Sequence, residues 1–222
     1  MEKEILIGIK KGMTQHFQED WKVVPVTIID LSSCVVAKKG SDKAWIGFGR
    51  KKGNRPELIN YKELGYVPRY VVEVSGECVK NYKVGEHIDI KDLNDTVVDV
   101  VGISKGRGFS GVVKRFNARG GPKTHGQSDR HRAVGSIGAQ TPGKVWKGQK
   151  MPGRMGVRRV KVKNLKVLFV DNEKREIGVV GHVPGPKKGV LFLYVKKRVK
   201  SNKNTGEKSK AEEKLNKNVK ED

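Results

Sequence analysis

The sequence predicts a mainly β protein organised as one barrel-like unit, and three observations lead there. Short runs of β-branched and aliphatic residues recur at tight spacing in both halves of the chain and are alike in length and composition. Between them lies a basic, glycine-rich window, residues 103–163, with the period of neither a long helix nor a long strand. The charge sits in that window (net +15) and in the tail from Lys196 (net +5), whereas residues 1–102 carry net +1 and 164–195 net +2. A nearly neutral body closed by strands from both halves, with the window as a long excursion out of it, is the simplest architecture.

Residues 4–10 and 22–30 read as the first two strands, and Pro25 inside the second marks an edge or a bulge. SCVVAKK and KAWIGFG follow as short strands on either side of a Gly-Ser turn. Residues 50–69 break the rhythm. KKGNRP is a basic loop, and PELINYKEL, with Pro56 at a first helical position, is a short helix. YVVEVS, then VGEHIDI with apolar Val84, Ile88 and Ile90, then TVVDVVGIS resume the strands. Beyond the window VRRVKVKN, KVLFVD, EIGVVGHV and VLFLYV supply four more, with DNEKRE and PGPKKG as turns. From Ser201 the chain is Lys, Asn and Glu. Ala211, Leu215 and Val219 are too few to hold a helix, so disorder is expected there.

Cys34 and Cys78 form no CxxC pair and are expected as reduced thiols in half-buried strands. No run approaches the roughly 18 apolar residues of a membrane span. The first residues lead into a strand without the pattern of a signal peptide, which points to the cytoplasm.

The window holds sixteen Lys or Arg against a single acid, Asp129, together with twelve glycines and three prolines. Its apolar residues, Phe109, Phe116, Ile137 and Trp146 among them, are isolated and cannot build a core. Ordering it costs on the order of 60 to 120 kcal/mol of backbone entropy. A polyanionic partner must offset that, so the window is expected to be disordered when free and to fold on nucleic acid. A membrane surface fits less well, because the basic segments lack an amphipathic run. The candidate RNA contacts are Lys105, Arg107, Lys114, Arg115 and Arg119 in the first part. Lys123, His125, Arg130, His131 and Arg132 follow in ARGGPKTHGQSDRHR, and Lys144, Trp146, Lys147, Lys150, Arg154, Arg158 and Arg159 lie in the last part. Bases neutralise phosphates, glycines let main-chain N–H groups approach them, and His131 or Trp146 can lie on an unstacked base. The alternative for Trp146 is packing back onto the β body.

Gly106, Gly108 and Gly111 in GRGFSG satisfy GxGxxG after a strand, with Asp129 about twenty residues on. The dinucleotide fingerprint needs a helix next and an acid at the end of a parallel strand. Here GVVKRFNARGGP is cut by Gly120, Gly121 and Pro122, and Asp129 follows no strand. Val113 completes a kinase-like glycine loop, but the accompanying HRD and DFG motifs are missing. The glycines are read instead as points where backbone passes close to another surface. No HExxH or Cys/His quartet exists, and one acid cannot hold two metals, so neither a metal site nor a catalytic residue is expected.

The segment DVVGISKGRGFSGVVKR, with Asp99, Gly102, Ser104, Gly106, Arg107, Gly108, Gly111 and Arg115, resembles the signature of the universal large-subunit ribosomal protein L-three family, bacterial type. GGPKTHGQSDRHRAVGSIGAQTPGKVWKGQKMPGRMG, VKNLKV and HVPGPKKG continue the resemblance in register, over roughly residues 4–198. It implies a six-stranded translation-protein-type β-barrel with a small inserted α+β subdomain and a long irregular extension. The corresponding division is an N-terminal barrel part over 1–102 with the insert at about 50–95, the extension over 103–163, C-terminal barrel strands over 164–198 and a basic tail over 199–222. It further implies binding to large-subunit ribosomal RNA near its 3′ end, a role in early assembly, contacts with neighbouring large-subunit ribosomal proteins, and an extension tip near the peptidyl transferase centre. The tip maps to Ser136, Ile137, Gly138, Ala139, Gln140, Thr141 and Pro142, and Gln140 matches a glutamine methylated in some members. Neither a cofactor nor a small-molecule substrate is implied. The tip is one residue shorter than in members with a longer run, and Trp146 stands where phenylalanine is frequent. The rival from another class is an RNA-modifying enzyme or RNA chaperone with a basic guide loop, against which the lack of a nucleotide fold, metal set or activated nucleophile speaks.

Overall fold

The computed structural model describes residues 4–18, 21–75, 79, 82–141 and 143–196. Cys78, Pro142 and the tail from residue 197, with the expectations attached to them, lie outside the described residues.

The chain is mainly β. Six strands hydrogen-bond into a closed antiparallel ring: β1 (Ile5–Phe17), β2 (Val23–Asp30), β6 (Val97–Ile103), β9 (Arg159–Asp171), β10 (Glu176–Val180) and β11 (Val190–Val195). Their order around the ring is β1-β11-β6-β9-β10-β2, so strands from both sides of the basic window close one ring with no sheet edge between them. Side chains at a two-residue period point inward: Val98 and Val100 from β6, Ile177 and Val179 from β10, Leu191 and Leu193 from β11, all buried in one core with Leu6, Ile29 and Val167. In the β11–β6 ladder Leu191 faces Gly102 and Val195 faces Val98, while Tyr194 faces Ile5 on the other side.

A second sheet, β3 (Cys34–Lys39), β4 (Lys43–Lys51) and β5 (Val67–Ser75), is ordered β3-β4-β5 and touches β1. This contact explains the unbroken apolar run of β1: Leu6 and Ile7 point to opposite faces, yet both are buried. The sheet begins at Cys34, upstream of residue 50, because β3 pairs with β4 and β4 with β5, with no ladder to a barrel strand among the described residues. Burial pushes the Cys34 thiol up to about 11, which makes it an inert core side chain. Between β4 and β5 lies the short helix α1 (Arg55–Asn60), with Pro56 in its first turn and the Asn54 N–H donating to the Glu57 carboxylate.

Three strand expectations change, and a fourth finds its place. Strand β1 runs on to Phe17, because GMTQHF pairs residue by residue with Val23–Ile28 across a bulge after Lys10. VGEHIDI is no strand: His87 makes one isolated bridge to Val35, and the segment anchors instead through buried Ile88 and Ile90. VRRVKVKN and KVLFVD are one 13-residue strand, β9, which takes up residues 159–163 of the basic window. Pro25 finds its local edge one residue past the last β10 pair, Val26 with Val180.

The β9 strand survives as one piece because of Asp99. Val98 pairs with Leu165 but Val100 with Val162, so two residues of β9, Lys163 and Asn164, oppose Asp99 in a bulge. Asn164 takes a left-handed φ of 58°. Its N–H, which the bulge removes from the ladder, donates to Asp99 Oδ1 at 2.9 Å, and the Lys196 and Lys161 ammonium groups lie 2.8 and 2.9 Å from the two carboxylate oxygens. Burial opposes ionisation of this 2% exposed side chain. Lys196, the Asn164 N–H and Lys161 outweigh it and hold the carboxyl well below the usual carboxylate range.

A carboxyl whose pKa falls on folding contributes stability that is complete above its unfolded value of about 3.9 and is lost as pH drops below it. Asp99→Asn should therefore lower the urea-unfolding free energy at pH 7 by about 2 kcal/mol. The gap from the parent should close as pH falls from about 5 to about 2; a gap independent of pH would refute this account of the bulge.

Candidate nucleic-acid interface

The basic window leaves the barrel as a continuation of the β6–β9 ladder. Beyond the Ile103–Arg159 pair, Ser104 N–H donates to Arg158 O, Val157 N–H to Ser104 O, Arg107 N–H to Met155 O and Met155 N–H to Gly108 O. The two-residue strands β7 (Phe109–Ser110) and β8 (Gly153–Arg154) extend this stem outward. The backbones close tightly at Gly156, where φ is +86° and a Cβ would lie 2.0 Å from Lys105 O. So the close approach expected of glycine occurs here between the two halves of the chain itself. In GRGFSG the requirement differs by position: Gly108 needs its φ of +64°, while a Cβ at Gly111 meets nothing.

The stem is capped by α2 (Val112–Phe116), whose Val112 is buried with Ser110. Arg115 is half-buried, and its guanidinium donates to Met151 O at 2.7 Å and lies over the Phe116 ring. It closes the stem, a structural use that the sequence pattern did not disclose. Residues 117–135 form a loop pinned at its neck by Gly121 N–H donating to His131 O and by a 2.9 Å contact between His131 Nδ1 and Pro122 O. The His131 ring is thereby tied into the loop, whereas His125, at φ 61°, is exposed.

The other candidate residues are exposed: Lys105, Arg107, Lys114, Arg119, Lys123, Arg130, Arg132, Lys144, Lys147, Lys150, Arg154, Arg158 and Arg159. Arg159 stands apart on the barrel wall, with Nη2 donating to Tyr194 Oη at 3.3 Å. Trp146 is 69% exposed and does not pack back onto the β body. Ser136–Thr141 are exposed too, with Gly143 N–H donating to Gln140 O to turn the chain at the far end. Among the described residues no base from Lys105 to Arg159 makes an ion pair with an acid, and the Asp129 carboxylate contacts only its neighbour Ser128. Sequence reading also missed a cleft of about 540 Å³ at the root of the stem, lined by Tyr70, Ile103, Val157, Pro186 and Phe192 with Lys105 and Lys188. No group of three or more His, Cys, Asp or Glu among the described residues could hold a metal, and no described helix is long and apolar enough to cross a membrane.

This arrangement can offer cations, main-chain donors and exposed aromatic rings, Phe109 and Trp146, to a polyanion. Residues 61–178, which include the whole extension, match the family model described as Ribosomal protein L3. The large ribosomal subunit protein uL3 of Herpetosiphon aurantiacus is 46% identical over 85% of this chain and 94% of its own length. The chain belongs to the ribosomal protein L3 family. Its relatives include the proteins of the same name from Dehalococcoides mccartyi, 43% identical over 85% of this chain and 96% of the relative, and Acidothermus cellulolyticus, 39% identical over 90% and 96%. The part of the L3 chain that the family model matches runs from just before β5 through the stem and loop to β10, so the extension falls within it.

A Cβ at Gly156 cannot be accommodated against Lys105 O. Gly156→Ala should speed hydrogen exchange at the Arg107 and Met155 amides by more than tenfold, about 1.4 kcal/mol of local opening, and leave the barrel amides of Val100 and Leu193 unchanged. Equal protection in both proteins would show that the stem does not depend on this contact.

Proposed function

We propose that this chain is a structural component of the large ribosomal subunit, cytoplasmic and ribosome-bound, and performs no catalysis. The β-barrel, of translation-protein type with its inserted subdomain, is the anchor. The extension over 103–163 threads into large-subunit ribosomal RNA near its 3′ end and helps to nucleate assembly. Its tip, residues 136–142, reaches toward the peptidyl transferase centre, with Gln140 as the candidate methylation site. No cofactor, metal, membrane or small-molecule substrate enters this role, and neighbouring large-subunit proteins are the other partners. The observation that carries the reading is a hydrogen-bonded stem presenting exposed bases without acidic counter-charges. Such a surface attracts phosphates and gains free energy by releasing their counterions.

The RNA itself supplies the order: the extension has only Val112 and Ser110 buried among the described residues of 104–158, so its conformation draws on contacts outside the chain. Trp146 is an exposed aromatic available to stack on an unpaired base, as is Phe109 on the stem, and the phosphate contacts fall to the exposed bases around them.

In sucrose-gradient sedimentation of cell extracts the chain should co-migrate with mature large subunits at one copy per particle. Transient or substoichiometric association would favour an RNA-modifying or chaperone role. Titrated against its RNA, a chain using about half of the sixteen bases should show log K falling with log salt at a slope of about −5 to −7, and a nearly flat dependence would contradict phosphate neutralisation.

A further inference from the structure

The cleft at the root of the stem takes its walls from the barrel, the second sheet and the stem together. Leu191 and Leu193 point into the barrel, so Phe192 between them points out, opposite Ile7 of β1 and Val101 of β6. Ile7 and Val101 are buried on this outer wall. Val190 and Ile103, two residues along from Phe192 and Val101, continue the same apolar strip toward the stem. Tyr70 of β5 and Val157 of the stem line the cleft with them. Tyr70 and Phe192 are half-buried and pack against the core, whereas Ile103 is 57% and Val157 72% exposed. The apolar outer wall of the barrel thus runs out from its cover into an open space of about 540 Å³. Sites for small ligands span roughly 300 to 1,000 Å³.

Two of the lining residues hold left-handed backbone, Val157 at a φ of 51° and Lys188 at 62°. For a β-branched residue this is a steric outlier, and a glycine would take the conformation without strain. Valine at 157 instead sets its methyl groups over Gly106, where a Cβ would come within 3.0 Å of Val157 Cγ2. Gly106 of GRGFSG therefore leaves room for this wall of the cleft. The side chain is otherwise open, so burial within the chain does not offset its strain. Strain of this kind clusters where a ligand is held.

Charge narrows the ligand. Lys105 and Lys188 line the cleft, and no acid does. Lys10, whose main chain pairs with Lys188 and Gly189, is 8% exposed, and its ammonium donates to Val183 O at 2.9 Å and Gly185 O at 3.3 Å. Burial, and then the Lys105 charge, hold it below the ordinary lysine pKa. Among the described residues no acid forms an ion pair with any of the three. The cleft therefore suits an anion with a flat apolar body. A carboxylate side chain brings the charge without a ring to cover Tyr70 and Phe192, whereas a nucleotide brings both. Ser104, Lys105 and Gly106 line the cleft and also begin the stem, so RNA that meets the exposed Arg107 and Arg158 passes its mouth. We propose that this cleft receives one unstacked nucleotide of the RNA, its nucleobase against Tyr70, Phe192 and Val157 and its phosphate on Lys105 and Lys188. The proposal rests on the RNA reading and deepens it, adding a nucleobase pocket on the barrel to the phosphate contacts of the extension.

The test places a photoreactive aliphatic diazirine amino acid at Ile103 or at Val157, and separately at Arg132 in the extension, in full-length chains assembled into large subunits in cells. Particles are purified and irradiated, and the cross-linked products are identified by mass spectrometry after nuclease and protease digestion. The expected result is that both cleft positions label the nucleobase of the same nucleotide, while Arg132 labels RNA elsewhere. Labelling of protein, of a free nucleotide or of scattered RNA positions from the cleft, or none there while Arg132 labels RNA, would overturn the cleft proposal and leave the RNA reading intact. Particles that lack the chain, or an Arg132 probe that finds no RNA, would overturn the RNA reading itself. Two further arms keep the diazirine at Ile103 and add Val157→Gly or Lys188→Glu. Each should lower the labelling by about tenfold, the effect of losing one stacking or charged contact. Undiminished labelling in Val157→Gly would remove the apolar wall from the site, and in Lys188→Glu the phosphate contact; either result overturns the proposal.

Discussion

Everything that reaches outward from this molecule depends on the pairing of β6 with β9. The two strands close the barrel between its N-terminal and C-terminal halves, and the same ladder continues past Ile103 and Arg159 as the stem of the extension. The barrel is thus both a core and a clamp on a long basic loop. The ladder has one irregularity, the Lys163–Asn164 bulge, and a buried acid with two lysines stabilises it. A buried carboxylate is costly unless paired and hydrogen-bonded. Asp99 has three such partners, and two of them, Lys161 in β9 and Lys196 one residue past the end of β11, come from either side of β6.

The extension shows how a chain with little apolar material can still define a path. Its stem relies on main-chain hydrogen bonds and on a glycine that admits close approach, its cap on Arg115, and its loop on the neck between Gly121 and His131. Side chains released from these tasks are the bases and Trp146, which all face outward. Loop geometry and charge display are separated residue by residue, so a substitution at Arg115 and one at Arg132 have different physical meanings.

Much of this was legible in the sequence because charge and strand periodicity are local properties. The neutral body, the basic window and most strands follow from counting. What escaped depends on tertiary pairing. VGEHIDI alternates like a strand, but its neighbour β3 is already bulged near Val36 and admits only one bridge. GMTQHF looks like a loop until β2 is placed beside it. VRRVKVKN and KVLFVD are interrupted by Asn164, a residue that reads as a turn and is in fact a bulge held by Asp99, sixty-five positions away in the chain. For the interface, the identity of the bases was plain, whereas the division of labour was not: nothing in the residue types separates Arg115, used on Met151, from Arg132, which is exposed.

The register of β11 against β6 and β1 gives the barrel two distinct ends. Gly102 and Leu191 lie at the end where the stem departs, whereas Val98, Val195 and the Ile5–Tyr194 pair lie at the other, about 15 Å along the strands. Both ends of the described chain therefore leave the barrel away from the stem. At residues 4 and 196 the chain is thus on the opposite side of the barrel from the basic loop, so the strand ends that carry the rest of the chain and the loop occupy separate faces of the body.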